Sequence, residues 1–486
     1  MITLSAKEAA AALGVEAVNA PVTRVSTDTR DILPGDLFVA LVGERYNGHA
    51  FVPAAFAAGA SGAVVEMGRS ITGDPEWNPP AGAGLLYRVP DSLRALGTLA
   101  RAVRRKSGSL VIAVTGSVGK TGTKDLLRAM VATVCPVIAT DANLNNDVGV
   151  PATLLRIEVN TRVAIVEMGM RARGEILGLA RLAEPDVGVI TRLGPVHLET
   201  LGTVGEVALA KAELLDGLRP GGRAVIPAGS DLLEPLMAAA SRTLLRFALL
   251  PEDGSSVSPD LAGADVTGRV LTAESQECTL QLCWPGGEAV VDLPFAARHR
   301  LENAVAATAA CYAAGLPMAE CVGGLSSAVF TPGRGDEIRL GGMLVLDDCY
   351  NANPVSMRAS LDWLVQRASA EGRRPVAVLG DMLELGAGAA EYHRELGLYA
   401  AQVGVESLWA VGYQAQAMLD GFATARKAGT AEALVHAEDG LGALLASLCP
   451  DDAVLIKASR GVRLENVVEA LKRRFGLAAA GVSGEK

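Results

Sequence analysis

The chain has 486 residues, half of them apolar and 4% aromatic, with a formal net charge of −10. That length suits about three domains, and the scarcity of aromatics favours Ala-, Gly- and Val-rich α/β layers over an aromatic-rich all-β protein. The acidic balance excludes nucleic acid and anionic membrane as general partners, and seven scattered cysteines with no C-x-x-C pair exclude a disulfide scaffold.

Met1 to Glu8 has no basic region followed by an apolar one, so no signal peptide is expected. Ser5-Ala-Lys-Glu opens a short capped helix. A strand is expected over Asp36–Leu41, a helix over Phe51–Gly59 and a strand over Ala63–Glu66. Residues 68–84 are rich in Gly and Pro and read as a surface loop near a boundary. Asp91–Arg105 reads as a connecting helix. Leu110–Thr115 is a continuous apolar run, as a buried parallel strand requires. Similar runs recur at Val163–Glu167, Val187–Thr191 and Ala224–Pro227, with helical stretches between, including Val204–Leu218. This alternation predicts a doubly wound sheet.

Residues 251–263 read as a polar loop, and Cys278–Trp284 as part of an antiparallel excursion. Ala304–Ala319 holds Thr308, Gly315 and Pro317 and reads as a buried Ala-rich helix, not a membrane span. Thr331-Pro-Gly-Arg-Gly marks a second boundary. Strand–helix alternation then restarts at Leu344–Asp347, Val376–Gly380, Leu408–Gly412 and Ala453–Lys457. From Leu477 the chain reads as a loose tail.

Thr115-Gly-Ser-Val-Gly-Lys-Thr121 follows the buried strand and leads into the helix from Thr123. Glycines let backbone N–H groups converge on phosphate oxygens, and a helix N-terminus adds a favourable dipole. Lys120 reaches β- and γ-phosphates, and the Thr121 hydroxyl suits Mg²⁺. The strict phosphate-loop pattern fails, because Val114 stands where its first glycine belongs. An ordinary βα turn is the alternative. The expected fold is therefore three-domain α/β: a small N-terminal α/β domain (1–90), a central domain with a phosphate loop on a doubly wound, mostly parallel sheet (91–331), and a C-terminal Rossmann-like α/β domain (332–486).

Further segments lie in collinear order between about residues 20 and 465. They are Ser26–Arg30, Gly35–His49, Asn143–Pro151, Glu167-Met-Gly with Gly174-Glu-Ile, Gly194–Glu199, Ala210–Glu213, Arg298-His299 with Asn303, Pro332–Arg334, Asp347–Pro354, Gly380–Gly386, and Lys457 with Ser459–Gly461. Together they resemble the Mur ligases of peptidoglycan synthesis. The resemblance implies a cytoplasmic, monomeric, ATP-dependent amide ligase that activates a carboxylate as an acyl phosphate. Phosphoryl transfer to an anion needs concentrated positive charge. Asn351-Ala-Asn353-Pro354 and Asn143-Leu-Asn-Asn146 are similar to the branch that joins D-alanyl-D-alanine to a UDP-N-acetylmuramoyl-tripeptide. The Asp-Asn-Pro-Arg tetrapeptide of the branch that adds a single amino acid is absent from the sequence.

By the same resemblance, Lys120, Lys211 and His197 carry catalysis. Thr115, Gly116, Ser117, Val118, Gly119, Lys120, Thr121, Asn303, Arg334 and Asp348 bind ATP. Mg²⁺ falls to Thr121, Glu167, His197 and a carbamylated Lys211. Ser26, Thr27, Asp28, Thr29, Arg30, Asn47, Gly48 and His49 are assigned to the uridine diphosphate end of the substrate, and Asn143, Asn145, Asn146, Asn351 and Asn353 to its peptide side and the incoming dipeptide. Plainer readings stand beside these: Lys211 as a solvated helix charge, His197 as a loop histidine, Asp348 as a turn cap and Asn351–Pro354 as a turn. Arg192, Arg300 and Ala458 depart from the family's usual residues. Competing functions are a ligase that adds a single amino acid and a non-catalytic, nucleotide-gated binding module.

Overall fold

The computed structural model describes residues 1–476 apart from 44–45, 75, 240–242, 252–260, 262, 275–276, 426–429 and 435. Most of the 251–263 loop and the tail from Leu477 lie outside the described residues.

Three sheets form among the described residues, one per expected unit. The N-terminal sheet is parallel, in the order Val25–Ser26, Leu37–Val39, Gly62–Glu66, Leu85–Val89. The central sheet runs Val137–Ala139, Val163–Glu167, Leu110–Thr115, Val187–Ile190, Arg223–Pro227, Thr243–Leu249, Val266–Glu274, Glu277–Trp284, Gly287–Leu293. It is parallel until Glu277–Trp284 and Gly287–Leu293 close it as an antiparallel flank. Its innermost strands are buried almost throughout, which explains why they read as unbroken apolar runs. Leu110–Thr115 lies between strands that follow it in the chain, so its C-terminal end opens at a topological switch point. The C-terminal sheet runs Asp336–Leu340, Met343–Asp347, Asp452–Lys457, Arg374–Gly380, Ser407–Val411, Thr430–Leu434, with only the first strand antiparallel.

Two features differ from expectation. The Ala-rich helix begins at Arg298 and stops at Ala313, because Gly315 takes a left-handed turn (φ 69°) and Pro317 follows; Met318–Cys321 is a separate short helix. The edge strands Asp336–Leu340 and Thr430–Leu434 carry mixed and exposed side chains, so no apolar run announced them.

The N-terminal and central units share one core. Leu4, Leu37, Val64 and Val89 belong to the same buried cluster as Leu99, Val166, Ile190 and Leu214. The helix Ser92–Lys106, read as a mere connector, joins them through Leu96, Leu99, Ala100 and Val103. A second cluster covers the other face of the central sheet, and two further clusters flank the C-terminal sheet. No helix among the described residues is long and apolar enough to cross a membrane.

Candidate functional site

A cavity of about 1280 Å³ opens where the central and C-terminal units face each other. The phosphate loop forms its floor. Gly116 has φ 150°, and a Cβ there would lie 1.9 Å from the Thr191 hydroxyl oxygen. Gly119, at φ 90°, caps the helix Lys120–Ala132, and its Cβ would lie 2.4 Å from Asn303 Oδ1. Only glycine fits either position. The amides of Ser117 and Val118 donate to the Arg192 carbonyl at 2.9 and 3.2 Å. Ser117 Oγ donates to Gly194 O at 3.0 Å and Thr191 Oγ1 to Val118 O at 2.6 Å. The departure at Arg192 thus supports the loop through its backbone, while its guanidinium reaches Glu302 at 3.2 Å.

Lys120 Nζ rests on the carbonyls of Gly116 at 2.8 Å and Ser117 at 3.4 Å. Burial holds its pKa below the ordinary lysine value, opposed by the Glu167 charge and reinforced by Arg334. Thr121 Oγ1 donates to Glu167 Oε2 at 2.8 Å, and Asn145 Nδ2 donates to Glu167 Oε1 at 2.8 Å. Glu167 is fully buried at the end of its strand. Lys211, on the helix Val204–Asp216, is 1% exposed. Burial first, and the Lys120 charge second, push its amine far below the usual lysine range. The solvated reading of Lys211 is therefore set aside.

His197 lines the cavity in a left-handed conformation (φ 54°), with Nδ1 bonded to Glu384 Oε2 from the C-terminal domain. That contact holds the Glu384 carboxyl below its ordinary pKa, against the opposing effect of burial. Glu199 N donates to Glu384 O at 3.2 Å beside it. Among the described residues no group of three or more His, Cys, Asp or Glu is arranged to hold a metal ion. The Thr121 hydroxyl and Glu167 carboxylate nevertheless offer adjoining hard oxygens in a buried setting. That suits Mg²⁺, which takes one or two protein oxygens and completes its shell with water and phosphate.

From the other wall, Arg334 stacks on Tyr350 at 4.0 Å, and Arg460 approaches the same ring at 5.3 Å. Asp348 Oδ2 is bound by Lys457 Nζ at 2.6 Å and by Ser360 Oγ at 2.7 Å. Asn353 Oδ1 caps the helix Pro354–Glu371 by accepting from Ser356 N at 2.9 Å, so its amide N–H₂ is the group left for a ligand. Asn351 lines the cavity, its Oδ1 accepting from Ala352 N. Asn143 and Asn146 line it too, with Asn146 Oδ1 accepting from Gly149 N at 3.0 Å.

The N-terminal candidates stand apart from this cavity. Ser26 is buried and bonds the Asp28 backbone, and Asp28 pairs with Arg30. Thr27 lines a second cavity of about 610 Å³ between the N-terminal and central units. The geometry does not offer His49 to a ligand. It is fully buried, its Nε2 accepts from Glu66 N at 2.9 Å, and its Nδ1 meets Asn47 Oδ1 at 2.8 Å. Gly48 is pressed on Leu41, 2.6 Å from its carbonyl oxygen to a would-be Cβ. Glu384, Lys457 and Tyr350 were not among the sequence-derived site residues. All three sit inside the segments that carried the resemblance; Lys457 ends its strand, and Tyr350 and Glu384 lie just beyond the strands Met343–Asp347 and Arg374–Gly380, which was the available signal.

Three family models match consecutive stretches: "Mur ligase family, catalytic domain" over 21–104, "Mur ligase middle domain" over 114–311 and "Mur ligase, glutamate ligase domain" over 333–460. The UDP-N-acetylmuramoyl-tripeptide–D-alanyl-D-alanine ligase of Bacillus subtilis is 35% identical, with 92% of each chain covered. Its Escherichia coli counterpart is 35% identical, over 97% of this chain and 99% of that one. A crystal structure of MurF from Acinetobacter baumannii superposes with a TM-score of 0.84 at 30% identity, covering 97% of this chain and 99% of that chain. MurF of Thermotoga maritima, in complex with ADP, gives 0.76 at 25% identity over 94% and 98%.

Proposed function

The chain belongs to the Mur ligase family, and from that premise we propose that it joins D-alanyl-D-alanine to a UDP-N-acetylmuramoyl-tripeptide, cleaving ATP to ADP and phosphate. One observation carries the reading onto this molecule. A single cavity gathers the loop's Lys120, the carboxylate of Glu167, the amine of Lys211 and, from the C-terminal domain, Arg334, Asp348 and Lys457.

A carboxylate is a poor acyl donor until its oxygen becomes a good leaving group. The tripeptide carboxylate attacks the γ-phosphorus of ATP, ADP departs, and an acyl phosphate forms. The amine of the dipeptide then attacks the acyl carbon, phosphate leaves, and the amine proton is lost. Lys120 turns from the loop carbonyls to the transferring phosphoryl group and stabilises its charge. The glycine loop and the start of the helix Lys120–Ala132 hold the phosphates by backbone N–H groups. Thr121 and Glu167 would hold Mg²⁺, which when bound neutralises phosphate oxygens.

Asn303, pressed against Gly119 and Gly122, is assigned to the adenine, Arg334 to the phosphates and Asp348 to the ribose. Burial, with the Lys120 charge, pushes the Lys211 amine toward the neutral form that adds CO₂, and an anionic carbamate is assigned there on the family resemblance. Asn143, Asn145, Asn146, Asn351 and Asn353 face the peptide groups. The uridine diphosphate end falls to the N-terminal domain, with Ser26–Arg30 and Asn47 but without His49, whose nitrogens are both used. The units are taken as 1–90, 91–331 and 332–486. Closure of the C-terminal domain completes the site and excludes water. The working form is a cytoplasmic monomer.

Coupled phosphate release tests the function. Release is expected only with UDP-N-acetylmuramoyl-tripeptide and D-alanyl-D-alanine together. Equal turnover with a single amino acid would overturn the dipeptide assignment, and release indifferent to both peptides would overturn the ligase.

A further inference from the structure

Asp125 and Lys124 have no task in this chemistry, yet both are buried on the helix that begins at Lys120, with side chains 8% and 3% exposed. Lys124 Nζ donates to Thr140 O at 3.0 Å and pairs with Asp125 Oδ1 at 3.0 Å. The other oxygen, Asp125 Oδ2, reaches 206 residues along the chain. It accepts from the Thr331 backbone N–H at 2.9 Å and from the Thr331 hydroxyl at 3.0 Å. Thr331 is the last residue before Pro332-Gly333-Arg334, where the chain leaves the central domain.

The segment is pinned on both sides of that point. The Phe330 ring meets Phe295 edge-on at 5.4 Å and lies under the Arg300 guanidinium at 4.3 Å. Arg300 also donates to the carbonyls of Arg334 and Gly335. On the C-terminal side, Gly333 N donates to Asp336 Oδ2 at 2.7 Å and Tyr350 N to Gly333 O at 3.2 Å. Only Pro332 separates the residue tied to the loop helix from the residue tied to the C-terminal domain. Its ring fixes φ, so little slack exists between the two anchors. Arg334 follows three residues after Thr331, stacked on Tyr350.

We propose that Asp125 is a positioning residue for the nucleotide: by clamping Thr331 to the helix that starts at Lys120, it sets the pivot that brings Arg334 to the same phosphates as Lys120. The inference rests on the ligase reading for where ATP sits and asks nothing of the peptide substrates. A carboxylate is the fitting group because one oxygen accepts two donors while the other holds Lys124.

The test uses the full chain with Asp125→Ala, Asp125→Asn and Thr331→Val. ATP and UDP-N-acetylmuramoyl-tripeptide affinities are measured by calorimetric titration, compaction with a non-hydrolysable ATP analogue by small-angle scattering, and melting temperature alongside. Asp125→Ala is expected to weaken ATP about tenfold and the UDP precursor by less than about twofold, as loss of hydrogen bonds to a charged acceptor at one site implies. Thr331→Val keeps the backbone bond, so about threefold is expected. Asp125→Asn keeps an acceptor oxygen and should fall between the two. Compaction should weaken in the same order. Unchanged ATP affinity in Asp125→Ala, or equal weakening of both ligands with normal compaction, would overturn the proposal and leave Asp125 a structural residue. Failure of the ligase reading shows separately, as absent phosphate release from the parent chain.

Discussion

Exchanging Glu167 for glutamine removes one charge from the site while keeping its shape. The carboxylate accepts one hydrogen bond of 2.8 Å on each oxygen, from the Thr121 hydroxyl and the Asn145 amide. A glutamine with its oxygen toward Asn145 keeps that bond, and its N–H₂ can donate to the Thr121 hydroxyl once that group rotates. The structural cost is the difference between charged and neutral hydrogen bonds, about 1–2 kcal/mol, part of it returned because a buried charge is gone. The cost to a divalent cation is larger. A unit charge about 4 Å from Mg²⁺ at an effective dielectric near 20 contributes about 8 kcal/mol before desolvation. If only about 3 kcal/mol of that survives, Mg²⁺ affinity falls by roughly two decades. The assay is phosphate release titrated with Mg²⁺, with thermal melting as the control. A near-parental melting temperature and a much higher Mg²⁺ requirement are expected. Parental Mg²⁺ dependence, or activity lost in proportion to melting temperature, would refute the assignment of Glu167 to the metal.

Lys211→Ala should lower turnover by about two decades or more, as removal of a principal charged group at an active site does. A short carboxylate such as propionate should restore part of it, and the parent labelled with ¹³C-bicarbonate should show a carbamate resonance. No rescue and no resonance would dismiss the carbamate, whose basis is the amine pushed down by burial and Lys120. His299 gives a pH dependence. Burial pushes its pKa down from 6.5 to about 4, opposed by Asp348 and helped by Arg300 and Lys457. The unfolded chain binds the proton more readily in that window. Stability is therefore full above pH 6.5 and falls toward pH 4, by at most about 3 kcal/mol from this group. Urea unfolding of His299→Gln should show a shallower loss between those limits, and a slope equal to the parent's would contradict it.

What the chain disclosed about itself followed distance along it. The loop Thr115–Thr121 and Glu167 were legible because each stands at the end of a strand whose apolar run is unbroken. The three-layered α/β units were legible for the same reason, and Asp336–Leu340 and Thr430–Leu434 were not, since edge strands need no apolar face. His49 looked like a ligand-facing histidine in a glycine-rich turn. Asn47, two residues away, takes one nitrogen, but nothing local says that the Glu66 backbone will take the other. Glu384 meets His197 at a separation of 187 residues, and Asp125 meets Thr331 at 206. Such pairs have no periodicity: the first is created by the docking of two domains, the second by the last residue of the central domain folding back on the loop helix.

The core shared by the N-terminal and central units bears on how the molecule comes apart. Leu4 and Val89 cannot be exposed without opening the cluster that also holds Leu99 and Leu214. The C-terminal sheet, by contrast, is sealed mainly by clusters of its own. Although the N-terminal sheet has a small cluster of its own on its other face, the shared core is expected to make the three domains of the topology unfold as two cooperative blocks. Heat or denaturant should find a single melting unit in the first two domains, and the segment around Pro332 is the seam along which the molecule divides.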